Sequence, residues 1–169
     1  TDAEPIIVET DGRNGFRLRP EQLAEAISNR TRALIINSPC NPTGSAYARA
    51  DWEALGQVLA VNPNVFVITD DMYEHIYWGG EPFCSLLTAC PELAERTITV
   101  NGLSKSYAMT GWRVGYAAGP KSVIDAMTAL QSQSTTNACT ISQAAAVAAL
   151  FGDETPVNNN TRFSLNLMF

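Results

Sequence analysis

Apolar positions in this chain fall into short unbroken runs separated by stripes of helical spacing. Ala33–Asn37 (ALIIN) and Val65–Thr69 (VFVIT) are apolar runs bounded by polar or proline-containing sequence, which predicts buried strands. Thr97–Asn101 (TITVN) and Trp112–Ala118 (WRVGYAA) predict two more, and Pro5–Thr10 (PIIVET) reads as a short strand near the start. Between them lie helical patterns. Pro20 opens a helix with Leu23, Ala24 and Ile27 on one stripe. Asp51–Ala60 carries Trp52, Leu55, Val58 and Leu59 at helical spacing, and Val123, Ile124, Met127 and Leu130 mark an amphipathic helix after Pro120. Alanine-rich Ser142–Leu150 predicts another helix, whereas Ser38–Gly44 (SPCNPTG) is too rich in turn formers to be one. Asp153–Phe169 continues neither period and reads as a frayed terminus.

Strands alternating with helices predict βαβ units, hence an α/β fold with a mainly parallel sheet flanked by helices. Parallel strands are ordinarily buried on both faces, which accounts for runs such as ALII and VFVI that do not alternate. Polar residues follow each of the successive strands: Asn37 and Asn41, then Asp70 and Tyr73, then Ser104 and Lys105. Open α/β sheets bind ligands beyond the carboxyl ends of their strands, so these groups are expected to face one crevice.

Composition narrows the partner. The 169 residues carry 17 Asp+Glu against 11 Lys+Arg, a net charge of −6, which argues against nucleic acid. No apolar run approaches the ~20 residues that span a bilayer, and the opening Thr1-Asp2-Ala3-Glu4 is neither a signal peptide nor an initiator methionine. The expectation is a soluble, cytoplasmic chain cut from something longer. With 46% hydrophobic residues it is no disordered chain, and with only 17% charged residues more of its surface than usual is expected to be covered. Cys40, Cys84, Cys90 and Cys139 form no C-x-x-C pair and the single His75 has no partner for a metal set, so reduced cysteines and no metal are expected.

Five residues stand out chemically. Lys105, in Gly102-Leu103-Ser104-Lys105, follows a buried strand; desolvation there would make its amine a nucleophile toward carbonyls, while a solvated strand-end lysine is the plain alternative. Asp70 leaves VFVIT from a buried position and needs a cationic or donor partner, or else caps a helix. Tyr73 falls three residues on and could share its side of a helical turn, or simply pack with its hydroxyl satisfied. Arg113 begins the fourth strand and offers paired donors to phosphate or carboxylate, or forms a surface ion pair. Asn41, in Asn41-Pro42-Thr43-Gly44, sits among ordinary turn formers.

The order of these elements is the specific signal. Asn41-Pro42-Thr43-Gly44, then Asp70-Asp71-Met72-Tyr73-Glu74, then Ser104-Lys105 with Met109-Thr110-Gly111-Trp112-Arg113-Val114-Gly115-Tyr116, resembles the class I/II aminotransferases, pyridoxal-phosphate enzymes of the aspartate aminotransferase fold (fold type I). The likeness runs from about Ile6 to Leu150, and the wording around Lys105 is most similar to the bacterial aspartate/aromatic branch. It implies that Lys105 forms the internal aldimine and then carries the proton between the α-carbon and the cofactor. It implies that Asp70 pairs with the pyridine nitrogen, that Tyr73 and Asn41 hydrogen-bond the ring's 3-oxygen, and that Ser104 and Arg113 hold the phosphate. A buried carboxylate would then meet a pyridinium, and the arginine an anion.

The resemblance also implies residues 1–151 as a partial cofactor-binding large domain, a central segment of it, with 152–169 as a divergent tail assigned to no domain. Gly102 departs from the small hydroxyl residue the family often has three positions before its lysine. The family's amino-terminal phosphate turn, its ring-stacking aromatic and the arginine that grips the substrate carboxylate have no counterpart here. Family members are homodimers whose subunits complete each other's sites. The expected reaction is transamination between an amino acid and a 2-oxo acid. The alternatives are another pyridoxal-phosphate reaction such as a lyase's, or a fragment inactive by itself.

Overall fold

The computed structural model describes residues 3–153 together with Thr155 and Val157. Its four-stranded sheet is built from β1 (Ala33–Asn37), β2 (Phe66–Asp70), β3 (Thr97–Gly102) and β4 (Gly115–Ala118), in that spatial order. β1, β2 and β3 run parallel and β4 antiparallel. The helices are α1 (Pro20–Ala26), α2 (Arg49–Ala60), the short α3 (Leu86–Ala89), α4 (Lys121–Ser132) and α5 (Thr140–Phe151). The α/β class and mainly parallel sheet are as expected. The expected frayed terminus, Asp153–Phe169, lies mostly outside the described residues.

Two predicted strands change. Pro5–Thr10 forms no strand; Ile6 and Ile7 are exposed, and the segment is held instead by Gln22 Nε2 donating to Glu9 O at 2.9 Å. Strand-forming residues without a neighbour to pair with do not make a strand. The fourth strand begins at Gly115 rather than Trp112, because Thr110–Trp112 is a 3-10 turn and Arg113 is left-handed (φ 53°). Pairing starts where Gly115 meets Gly102: a Cβ on Gly102 would lie 3.2 Å from Gly115 Cα, and one on Gly115 would lie 3.0 Å from Asn101 O. Glycine on both strands allows that approach.

The main core lies between the sheet and α1–α3. Trp52, Leu55 and Leu59 on α2 are fully buried against Ile36 and Val67. Trp52 stacks on Tyr47 with ring centroids 4.5 Å apart and donates Nε1–H to Cys84 O at 2.8 Å, so its polar edge is satisfied inside. Gly56 lets α2 approach α3, since a Cβ there would lie 2.5 Å from Cys90 Sγ. Asp51 accepts the N–H of Ala48 at 2.9 Å and Arg17 at 2.8 Å, closing the first turn of α2.

The opposite face of the sheet differs from expectation. Ile35 is 74% exposed and Phe66 is 37% exposed, so the described residues cover β1 and β2 on one face only. No residue of α4 is buried, and Leu130 on it is 74% exposed. α5 buries Ala146 in a second, smaller cluster with Leu103 and Met109, and leaves Ile141, Val147 and Phe151 exposed. The unbroken apolar runs did call for burial on both faces; the second cover is not supplied by the described residues.

Arg96 closes the lower end of this layer. Its guanidinium donates to Leu59 O (2.7 Å), Asn62 O (2.9 Å) and Val65 O (2.9 Å), tying the end of α2 to the start of β2. Charge-assisted bonds to carbonyls that have lost their water are costly to remove. Arg96→Ala is expected to lower stability by about 2–4 kcal/mol, read as an earlier denaturation midpoint, and Arg96→Lys to recover little because one ammonium cannot span the same three acceptors.

Candidate active site

The parallel register puts Asn37 beside Asp70 and Asp70 beside Val100, so three chain segments leave the sheet at one edge. Asn37 fixes the first of them. Its Nδ2 donates to Asp70 O at 2.7 Å, and its Oδ1 accepts the N–H of Asn41 at 3.2 Å. Asn41 is thereby turned toward the loop after β2, where its Nδ2 donates to the Tyr73 hydroxyl at 3.1 Å.

The loop after β2 is a tight turn. Asp70 Oδ1 accepts Met72 N at 3.1 Å, and Glu74 N donates to Asp71 O at 2.9 Å. Asp70 thus caps a turn with one oxygen, a local use that the capping alternative anticipated, though no helix follows. It is half-buried and retains acceptor capacity for another donor.

The third segment turns after Gly102. Tyr107 N and Met109 N both donate to Leu103 O, and Ala108 N donates to Lys105 O. Leu103 and Ser106 are buried, and they anchor the turn on either side of Lys105. Lys105 Nζ stands 5.9 Å from the centroid of the Tyr73 ring, a cation–π arrangement. Lys105 itself is exposed among the described residues. Thr110 ties the remaining pair: its hydroxyl donates to Ser104 O at 2.8 Å, and its carbonyl accepts Arg113 Nη1 at 3.1 Å. Arg113 lies in a left-handed cap rather than at a strand start.

Tyr73 therefore bonds Asn41 and has the Lys105 amine over its ring, Asp70 ends the neighbouring strand, and Ser104 and Arg113 are joined through Thr110. The strand ends thus present an amine, a carboxylate, a phenol–amide pair and a guanidinium, groups that can meet an electrophilic carbon, a cationic centre and an anion. Asn41 donates to the Tyr73 oxygen, which leaves the phenolic hydrogen available to a ligand oxygen. Among the described residues no group of three or more His, Cys, Asp and Glu could hold a metal ion.

Two residues were missed by the sequence reading. Asp71 is 3% exposed and lies on the opposite face from Asp70. Burial, then the nearby Glu74 charge, pushes its carboxyl up to about 7; a hydrogen bond from Thr69 acts the other way, and Asp70 adds to the rise. The doubled aspartate at a strand end was the available signal, because alternation sends only one of the pair to each face. Asn101 is 6% exposed and donates Nδ2–H to Glu74 Oε1 at 2.6 Å. Gly102 also gains an explanation. A Cβ there would come within 3.0 Å of Met72 Cε, so Met72 fills the space a hydroxyl residue would need.

Comparison with known proteins bears on this arrangement. The family model described as aminotransferase class I and II matches residues 1–163. The aspartate/prephenate aminotransferase of Nitrosomonas europaea is 49% identical over 153 residues, 90% of this chain and 38% of that protein. The aspartate aminotransferase of Rhizobium meliloti is 50% identical over 90% of this chain and 37% of its own length. The crystal structure of the Rhizobium meliloti aspartate aminotransferase superposes with a TM-score of 0.91 at 48% identity, covering 94% of this chain and 40% of that one. An aromatic aminotransferase from Pyrococcus horikoshii superposes at 0.87 with 39% identity, covering 94% and 42%. The chain thus spans about 38% of the length of the curated relatives it matches.

Two outcomes follow from the local geometry. A carboxyl raised from 3.8 to about 7 binds its proton more tightly folded than unfolded. Its contribution to stability therefore falls as pH rises from about 4 to about 7. Asp71→Asn is expected to flatten that slope and to raise the denaturation midpoint relative to wild type above about pH 7, checked by melts across the range. Gly102→Ser is expected to cost about 1–3 kcal/mol through overpacking against Met72 and the Gly115 backbone, measured the same way.

Proposed function

This chain belongs to the class I and II aminotransferase family, and on that premise we propose that the protein it forms part of binds pyridoxal 5'-phosphate at Lys105. The reaction we infer is transfer of an amino group between an amino acid and a 2-oxo acid, with aspartate or an aromatic amino acid as the favoured substrate class. The observation that carries this reading is the convergence of Lys105 with Tyr73 and of Tyr73 with Asn41 at the strand edge that ends in Asp70.

Bound pyridoxal phosphate supplies an aldehyde that captures amines and a protonated ring that withdraws electrons from the amino acid's α-carbon. The chain's own groups would do the rest. Asp70 would pair with the ring nitrogen and hold its proton, a charged partner for a half-buried carboxylate. The Tyr73 hydroxyl, already oriented by Asn41, and Asn41 itself would donate to the ring's 3-oxygen. Ser104 and Arg113 would take the phosphate, the guanidinium as a planar paired donor. Lys105 Nζ would hold the aldehyde carbon at rest and, once released by an incoming amine, move a proton between the substrate α-carbon and the cofactor carbon.

Of the chain's two lysines, Lys121 is exposed on α4 and paired with Asp125 at 2.6 Å, away from these groups in the fold's order of elements. The uncovered apolar side chains of the sheet, α4 and α5 support a fold completed by the rest of the polypeptide and by a second subunit, as a homodimer. No described helix is long and apolar enough to cross a membrane. We assign the protein to the cytoplasm, with amino acid and 2-oxo acid as its partners and no part for nucleic acid or membrane.

Borohydride reduction of the full-length protein with pyridoxal phosphate, followed by peptide mass spectrometry, is expected to place a pyridoxyl label on Lys105. A label on another lysine, or none, contradicts the reading. Lys105→Ala is expected to lower the transamination rate by about a hundredfold or more, the scale of a lost proton carrier.

A further inference from the structure

The groups at the site come from different loops. Tyr73 stands on the loop after β2 and Lys105 on the turn after β3, so the distance between them is a distance between loops. Main chain ties the start of the loop after β2 to β3 itself, where Asp71 N donates to Val100 O at 3.0 Å. Side chains tie them again. Met72 Cε lies against Gly102, and Asn101 Nδ2 donates to Glu74 Oε1 at 2.6 Å. Asn101 is almost fully buried, and its Oδ1 accepts the N–H of Gly102 at 2.7 Å, so both ends of its amide are engaged. Glu74 adjoins Tyr73, and Gly102 opens the turn that carries Lys105. The Glu74–Asn101 bond therefore joins the residue next to one reactive group to the main chain just ahead of the other. A hydrogen bond to a carboxylate is among the stronger kinds, and this one is part-buried, with the Asn101 end almost fully so.

We propose that Glu74 and Asn101 are positioning residues for the Tyr73–Lys105 pair: their hydrogen bond fixes the spacing between the loop after β2 and the turn after β3. The proposal rests on the cofactor reading given above. It assigns these residues no contact with substrate or cofactor. Their action is on where the Tyr73 hydroxyl and the Lys105 amine stand relative to the ligand atoms each would engage. Because the proton affinity of the Lys105–cofactor linkage depends on that placement, the linkage titrates at a different pH when the spacing is lost.

Other titratable groups surround Glu74 and must be separated from its positioning role. Asp71 feels its charge, His75 Nε2 lies 3.5 Å from Oε1, and the Tyr116 hydroxyl is raised by burial, then by Glu74, Tyr107 and Asp71. Glu74→Gln keeps an oxygen for Asn101 and removes the charge, whereas Glu74→Ala removes both. The Glu74 side chain is 30% exposed, which limits the packing that either substitution disturbs.

The test is a pH titration of the bound cofactor's visible absorbance in the full-length protein, for wild type, Glu74→Ala, Glu74→Gln and Asn101→Ser. The midpoint is expected to move by about half a unit or more in Glu74→Ala and Asn101→Ser. Glu74→Gln is expected to stay near wild type, and the Glu74→Ala/Asn101→Ser double variant to move no further than either single one. A cofactor-free readout accompanies it: amide hydrogen exchange over Gly102–Ser106 is expected to be about tenfold faster in Glu74→Ala. A midpoint in Glu74→Ala that coincides with wild type overturns the proposal, and so does Glu74→Gln moving as far as Glu74→Ala, which would make charge the cause. If Asn101→Ser does not fold, the two Glu74 variants decide alone. A wild-type protein with no titrating cofactor band overturns the functional reading and this one together; a normal wild-type band with no shift in Glu74→Ala overturns only the positioning role.

Discussion

The in-register parallel pairing of β1, β2 and β3 is the constraint on which the candidate site depends. It aligns Asn37 with Asp70 and Asp70 with Val100, so that three loops distant in sequence leave the sheet at a common level. A slip of one residue in β2 would send Asp70 to the helix-covered face and Asp71 to the other. Register is held by side chains as well as by the ladder: Asn37 bonds across to Asp70 O and along to Asn41 N. The same residue that ends a strand therefore orients the loop that meets Tyr73.

Strand alternation divides the carboxyl edge into two chemistries. On one face stands Asp70, at the edge from which the loops carrying Tyr73, Asn41 and Lys105 depart. On the other, Thr69 and Thr99 bring their hydroxyls within 3.2 Å, Asp71 is buried, and Asn101 reaches Glu74. The second face is a polar layer inside the protein, where an unsatisfied group would be costly. Its bonds are directional, and they brace the loops that the first face uses. The fit of Met72 against Gly102 belongs to the same brace and accounts for glycine where a hydroxyl residue was expected.

Much of this was legible in the sequence. Ala33–Asn37 forms the strand that its apolar run predicts, and the stripe of Trp52, Leu55 and Leu59 is the buried face of α2. Helix and strand periods are strong where burial enforces them. What was not legible depended on distant partners. PIIVET has strand composition but no neighbour to pair with. Trp112 and Arg113 have strand composition but precede a close glycine–glycine approach that fixes where pairing starts. The exposed Ile35 and Phe66 show apolar runs written for a cover that these residues do not themselves provide. Asn41, Asp70, Tyr73 and Lys105 could be named from motif order, whereas Asp71 and Asn101 needed the pleat of the sheet to reveal which way they turn.

In the proposed complex a carboxylate at the end of β2 and an amine from the turn after β3 hold opposite ends of one ligand. A crystal structure of the full-length protein with pyridoxal phosphate tests it most directly. Density is expected to run continuously from Lys105 Nζ to the cofactor, with the Asp70 carboxylate within hydrogen-bond distance of the ring nitrogen. A ring bound elsewhere, or joined to Lys105 with its nitrogen turned away from Asp70, would contradict it.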